Sequence, residues 1–494
     1  MSTLFDSLFD GDDAVVRALR AGADPDARDA DGETPLYRAA VSNQPGAVRL
    51  LLAAGADPGR ASGPEEGDLP LCGAACGGHT EVVRALLAAG AEPDQEEAFG
   101  FTALAWAVRL GHTEAARVLL AAGADPDRPG PDGLAPLTAA ARRGSPSLVR
   151  ALLDHGAGGL RTALDEARRW IGVDMAAVLR RGLVESGGAG ETYEAVVRRV
   201  PEDGGVTVVV ELLREDGAPS RGDERQTGHA AIATLLEGAL GEPAAPEVLA
   251  ERALRCGDPA GEDWTTAVDA LAAGADGTAE TVFVTATAWC AGPDPLRRAL
   301  GARVLAALPG YAAGAVPVLR RLAAETAGAG DAREPAASVA AALGRCGDGA
   351  AVPELLGLAG HSDPEVRREV AAALAGIVPP GHAEAVRRIT ALSRDPDPRV
   401  RDWATLALAE LPDDTPAVRE ALAARLADPD PETAAEAARG LALRQDPRAV
   451  DALARLLADS DPEGPARETA LAALPHLADP RVRTRLEWTT PRCR

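Results

Sequence analysis

The chain has 494 residues and a formal charge of −24, from 75 acidic residues against 51 arginines and no lysine. That length exceeds what one compact core organises and points to several domains or an extended array. The charge argues against a nucleic-acid binder, which needs a net positive face to displace counterions. Hydrophobic residues make up 46% but aromatics only 3%, and Asn43 is the single asparagine. A GC-rich coding sequence produces that skew, so a bacterial source is expected. No apolar run approaches the ~20 residues that span a bilayer. The opening MSTLFDSLFDGDD lacks the basic and apolar regions of a signal peptide. Six scattered cysteines form no disulfide framework. Together these features point to a cytoplasmic protein without membrane contact.

From the N-terminus, one phrase recurs as VVRALRAGADPD, AVRLLLAAGADPG, VVRALLAAGAEPD, AARVLLAAGADPD and LVRALLDHGAGG. Its glycines, Gly22, Gly55, Gly90, Gly123 and Gly156, are spaced 33, 35, 33 and 33 residues apart. A second phrase precedes most copies: TPLYRAA, LPLCGAA, TALAWAV and APLTAAA, starting at Thr34, Leu69, Thr102 and Ala135. Each unit reads as two short helices and a turn. Thr can cap the first helix, with Pro at its first position. The Ala pair permits close helix approach, the Leu pair of the second helix faces the core, and the Gly ends it in a left-handed conformation. No unit buries its apolar face alone, so stacking is obligatory.

These units resemble ankyrin repeats over roughly residues 1–160. A degenerate sixth unit, TALDEARRWIGVDMAAVLRRGL from Thr162 to Leu183, is expected to close the stack. The stretch CGAACGGH, Cys72 to His79, has the look of a metal site. Yet Cys72 occupies the place of Tyr37, Ala105 and Thr138, and the GHTE beginning at Gly78 recurs at Gly111 without cysteines. The spacing is therefore read as repeat architecture, and no metal or other cofactor is assigned.

Beyond SGGAGE at Ser186 the composition changes. TYEAVVRRV and VTVVVELLRED, separated by PEDGG, read as strand, turn, strand, and AAIATLLEGAL as an apolar helix. Residues 187–245 are thus expected to form a β-hairpin-plus-helix spacer after an array spanning 1–186. His229, at the helix start, is read as a capping or solvated residue.

A different repeat fills 246–494. HSDPEVRREVAAALAGI is followed by DPDPRVRDWATLALAEL, DPDPETAAEAARGLAL and DSDPEGPARETALAAL. The leading aspartates, Asp294, Asp331, Asp363, Asp397, Asp430 and Asp461, recur every 31 to 37 residues. Asp caps a helix and Pro follows at its first position. Paired helices with a D-P-x-V-R opening resemble HEAT repeats of the short bacterial type. The pattern departs from the family at Ala434 and Pro335, which leaves the unit count open. The fold class is therefore mainly α, with two helical-repeat solenoids around a small β-containing spacer.

The resemblances imply a protein–protein interaction scaffold that binds partners on its repeat surfaces. Loop tips are mostly acidic (Asp29, Asp31, Glu65, Glu66, Asp68, Glu96, Glu97 and Asp132), which favours a basic protein partner and its association rate. One tip differs: Phe99, Phe101 and Trp106 put three large aromatics within eight residues. With Tyr37 and Arg38, whose helix position Trp106 shares, they form the candidate partner-binding set. The C-terminal RVRTRLEWTTPRCR is a basic patch on an acidic chain. Some HEAT-like proteins are lyases or glycosylases, for which Trp403 beside Asp402 and Arg401 is the local echo. A regulatory or immunity-type protein that sequesters a basic effector is a further alternative. No histidine is followed by Glu, and no P-loop, dinucleotide fingerprint, Gly-x-Ser-x-Gly or His-Glu-x-x-His occurs. The expectation is a non-enzyme with no catalytic residues, and the sequence assigns no oligomeric state.

Overall fold

The computed structural model describes residues 4–63, 67–186, 193–202, 205–214, 217–274, 279–328, 333–459 and 464–489. Glu65, Glu66, Asp331, Asp461, most of SGGAGE and the five residues after Thr489 lie outside them. Two compact units emerge: residues 1–256 with 260–267, and residues 257–259 with 268–494.

The first unit begins with α1 (Leu4–Ser7) and α2 (Asp12–Arg20) and continues as helix pairs. These are α3 (Pro35–Val41) with α4 (Pro45–Ala53), α5 (Pro70–Cys76) with α6 (Thr80–Ala88), α7 (Ala103–Leu110) with α8 (Thr113–Ala121), and α9 (Pro136–Arg143) with α10 (Pro146–Asp154). First helices pack on first helices and second on second, giving two parallel rows. The small pairs Ala39–Ala40, Ala74–Ala75, Ala107–Val108 and Ala140–Ala141 are fully buried between neighbours. Of each Leu pair, Leu51, Leu86, Leu119 and Leu152 are completely buried. Leu52, Leu87 and Leu153 lie only partly buried at the edge of the core. Thr34 and Thr102 cap their helices, each Oγ1 accepting from the amide three residues on at 3.2 Å. The repeat glycines hold φ between +79° and +95°, the left-handed region their position demands.

Polar bonds reinforce the period. The carboxylates of Asp26, Asp94 and Asp127 accept from the amides of Asp57, Asp125 and Gly158 in the next unit, at 3.2, 3.0 and 2.7 Å. His79 and His112 reach back to the carbonyls of Val41 and Cys76 through Nε2, at 3.2 and 2.9 Å. Cys72 is buried, and burial drives its thiol pKa far upward. Cys72 and His79 of CGAACGGH thus each have a place in the stack.

The end of the first unit differs from the expected cap. Helix α11 (Leu160–Trp170) joins the first-helix row against α9, but α12 (Met175–Glu185) leaves the stack. Its Met175, Leu179 and Leu183 form a separate small core with Val208, Val210 and Leu212 of a three-stranded antiparallel sheet. The strands are β1 (Glu194–Glu202), β2 (Gly205–Leu213) and β3 (Pro219–Gln226), in the order β1-β2-β3. The third strand was not expected because PSRGDERQ has no apolar alternation; it is held by pairing to β2, as in Val210↔Asp223.

The place beside α11 and α10 is then taken by α13 (His229–Ala239), whose Ile232, Ala233 and Leu236 belong to the repeat core. Helix α12 and the sheet therefore interrupt the sixth unit, whose second helix, α13, follows its first, α11, only after this insertion. His229 neither caps nor faces solvent: it is buried, its ring lies 6.1 Å from that of Trp170, and burial lowers its pKa to about 4. Glu237 of α13 forms a buried bidentate pair with Arg252 of α14 (Pro246–Cys256), at 2.6 and 2.7 Å. Arg168 of α11 joins at 2.9 Å.

In the second unit, the helices Pro295–Ala307, Arg333–Cys346, Pro364–Leu374, Pro398–Glu410, Pro431–Leu443 and Pro465–Ala473 form one contiguous row. Asp294, Asp363, Asp397 and Asp430 cap their helices through side-chain oxygens. The motif arginines link turns. Arg367 binds Asp395 bidentately at 2.7 and 2.9 Å, and Arg401 binds Asp428 at 3.1 Å through each of Nε and Nη2. Ala434 interrupts this ladder. Nearby, the buried Arg444 guanidinium donates to the carbonyls of Leu408, Ala409, Leu411, Asp413 and Gly440, a turn-binding role the sequence does not announce.

Two stability tests follow from this wiring. Glu237→Ala strands the buried Arg252 and is expected to destabilise the first unit by about 3–5 kcal/mol in urea titration of the whole chain. In the second unit, hydrogen bonds from Arg448, together with Arg419, hold the Asp446 carboxyl down at about 2. The native state therefore binds fewer protons than the unfolded chain below the usual carboxylate value near ~4. Stability is fully present above that value, and dichroism melts should show it falling as pH drops from about 4 to about 2.

Candidate partner-binding groove

The sequence-predicted residues lie on two first helices, Tyr37 and Arg38 on α3 and Trp106 on α7, and on the loop before α7, Phe99 and Phe101. Phe101 and Trp106 stack with ring centroids 4.1 Å apart and planes inclined by 21°. Trp106 Nε1 donates to Glu97 at 2.7 Å, which fixes the indole across the loop before α7. Phe99, at the loop tip, is 68% exposed and packs into no core. Tyr37 packs over Gly73 of α5, where a Cβ would stand 3.2 Å from its ring, and it lies within reach of the Glu97 charge. Arg38 is committed elsewhere, with Glu33 at 2.7 Å and Asp29 at 3.1 Å, and its guanidinium sits 5.8 Å from the centre of the Phe5 ring. The predicted set thus resolves into an aromatic stack, a free Phe, a ledge Tyr and a structural Arg.

Around Tyr37 the ledge is negative. Burial, then the charges of Asp68, Glu33 and Glu97, push the Tyr37 phenol up to about 12. Burial also raises the Glu97 carboxyl, against the hydrogen bond from Trp106. Not every acidic tip is available to a partner. Asp29 accepts from the amides of Asp31 and Glu33, Asp132 accepts from that of Leu134, and Glu96 pairs with Arg128. These carboxylates shape their own turns.

Further along, the charge changes sign. A cavity of about 430 Å³ opens between α7, α9 and β3, lined by Phe101, Arg109, Arg142, Arg143 and Arg225 together with Asp132, Asp223 and Glu224. Arg142 binds Glu166 at 2.7 Å, and Arg143 spans the Arg109 carbonyl and Glu224 at 3.0 and 3.3 Å. Sequence reading missed this site, because its walls come from segments near 105, 140 and 224. The Arg spacing at 109 and 142–143, one repeat apart on the first helices, was the available signal.

In the second unit, Asp402 and Trp403 line a cavity of about 380 Å³ with Arg368, Arg399, Asp430 and Glu432. Burial, then Asp430, Glu436, Glu432 and Asp428, raises the Asp402 carboxyl to about 7. Carboxylates thus dominate the surroundings of the only echo of enzyme chemistry found in the sequence.

The family comparisons agree with this architecture. Ankyrin-repeat models match residues 4–97, 60–129 and 132–165, and a HEAT-repeat model matches 328–409 and 419–488. No curated protein matches the chain. None of the described helices is long and apolar enough to cross a membrane.

The exposure of Phe99 makes a direct prediction. Phe99→Ser should leave the melting temperature unchanged, within about 0.5 kcal/mol of stability. Phe101→Ala should lower it measurably by removing the ring stacked on Trp106. Thermal melts of the two variants compare them.

Proposed function

The chain joins an ankyrin-repeat array to a HEAT-repeat array, and we propose that it is a protein–protein interaction scaffold rather than an enzyme. Repeats of both kinds are generally interaction modules, and stacked helices offer extended surfaces for a partner. The observation that carries the reading is the exposed Phe99 beside the Phe101–Trp106 stack. Aromatic anchors of this kind dominate interface energetics, at about 2 kcal/mol or more each.

The partner is a protein with a basic segment. The ledge of Glu33, Asp68 and Glu97 favours it, as does the formal charge of −24, which speeds encounter with a cationic surface. A glycosylase-like reaction would bring phosphates against Asp430, Glu432 and Glu436 around Asp402, an arrangement that opposes an anionic substrate. This reading places the protein in a reducing cytoplasm, which the free cysteines Cys72, Cys76, Cys290 and Cys346 support.

Affinity capture from native lysate tests the proposal, comparing wild type with Phe99→Ala/Phe101→Ala/Trp106→Ala after dichroism confirms that the variant is folded. A protein enriched by wild type and lost with the variant is the expected result. Equal recovery by both forms would move the contact away from the aromatic tip, and enrichment by neither would contradict the scaffold role.

A further inference from the structure

We infer that the cavity between α7, α9 and β3 is a carboxylate-anchoring subsite that takes an acidic side chain or the C-terminal carboxylate of the protein partner. The inference rests on the scaffold reading and adds the chemistry of one contact. Two of the arginines that line the cavity, Arg109 and Arg225, hold no ion pair with a carboxylate among the described residues. Arg109 lies 5.5 Å from the centre of the Phe101 ring, and Arg225 lies 5.4 Å from that of Trp170. A cation–π contact of this kind uses no N–H donor of the guanidinium, which leaves its donors available to a carboxylate.

The other charges in the wall are already engaged. Arg142 serves Glu166, and Arg143 serves Glu224 and the Arg109 carbonyl. Asp132 and Asp223 each accept from a nearby backbone amide, that of Leu134 and that of Glu224. Asp132 and Asp223 keep their charge, so what distinguishes the cavity is not net charge but two lining arginines, Arg109 and Arg225, without an ion pair to a described residue. These neighbouring carboxylates also favour a singly charged ligand group over a doubly charged phosphate.

The third wall is held in place before any ligand arrives. Gly228 N donates to the Gly144 carbonyl at 3.0 Å, which seats the end of β3 on the turn between α9 and α10. Contact there is so close that a Cβ on Gly144 would stand 2.3 Å from the Gln226 carbonyl oxygen. Such preorganisation lowers the entropic cost of binding. The cavity also shares Phe101 with the aromatic stack, so a peptide can place an apolar residue beside its carboxylate, which a free small anion cannot do.

The test is selection of random dodecapeptides, displayed with free C-termini, on the immobilised full-length protein. Enriched sequences are then synthesised and measured by fluorescence polarisation. Expected are peptides with a carboxylate next to an apolar residue, bound roughly tenfold or more weakly by Arg109→Gln/Arg225→Gln. Neither arginine holds an ion pair with a described residue, so the variant should stay folded and lose no more than its two cation–π contacts. Amidating the C-terminus and replacing internal Glu by Gln separate the two carboxylate sources. Peptides that bind the variant equally well, or that keep their affinity after every carboxylate is removed, would overturn the inference while leaving the scaffold reading intact. Enrichment of no peptide would count against both.

Discussion

A short amphipathic helix pair cannot cover its own apolar stripe, so each pair in this molecule depends on the next. The requirement sets a period near 33 residues, because only a copy of the same unit presents a matching face. Polar bonds then follow the same period. In the first unit Asp26, Asp94 and Asp127 each hold an amide one repeat on; in the second, Arg367 and Arg401 each hold the aspartate of the following turn. Hydrogen bonds of this kind add modestly to stability, but they tie each turn to its neighbour.

Dependence on a neighbour creates a problem wherever a stack stops. The first unit meets it by splitting its sixth repeat: α11 continues the first-helix row, and α13 returns to cover it and α10 after an excursion through α12 and the sheet. The buried Glu237–Arg252 pair then joins α13 to α14. The return path has a consequence for function. Closing the repeat core brings β3 against the turn after α9, and β3 supplies Asp223, Glu224 and Arg225 to the groove on the first-helix face. The closing device and the third wall of the candidate subsite are one segment.

Much of this was legible in the sequence, for identifiable reasons. Thr34, Thr102 and the leading aspartates announced helix starts because capping is local chemistry that needs only a side chain and the next few amides. The repeat glycines announced turns because only a left-handed residue fits there. The aromatic tip was visible as Phe99, Phe101 and Trp106, and their contact needs only the local fold of one repeat. What escaped detection was non-local. β3 carries no apolar alternation and exists by pairing with β2, and α13 was assigned to a spacer since its partner α11 lies some sixty residues earlier. His229 read as a capping or solvated residue, and only the return of α13 buries it against Trp170. The arginine cavity was invisible for the same reason, since no single segment contains it.

The central claim is that the insertion is an integral part of the first unit, built into the repeat core that shapes the groove. Native-state hydrogen exchange on the full-length protein, followed by mass spectrometry across a denaturant series, tests it most directly. If the claim holds, the slowest amides of α13 open with the same free energy and denaturant dependence as those of α9 and α11. Amides of α13 that open at a distinctly lower free energy while α9 and α11 stay protected would contradict it.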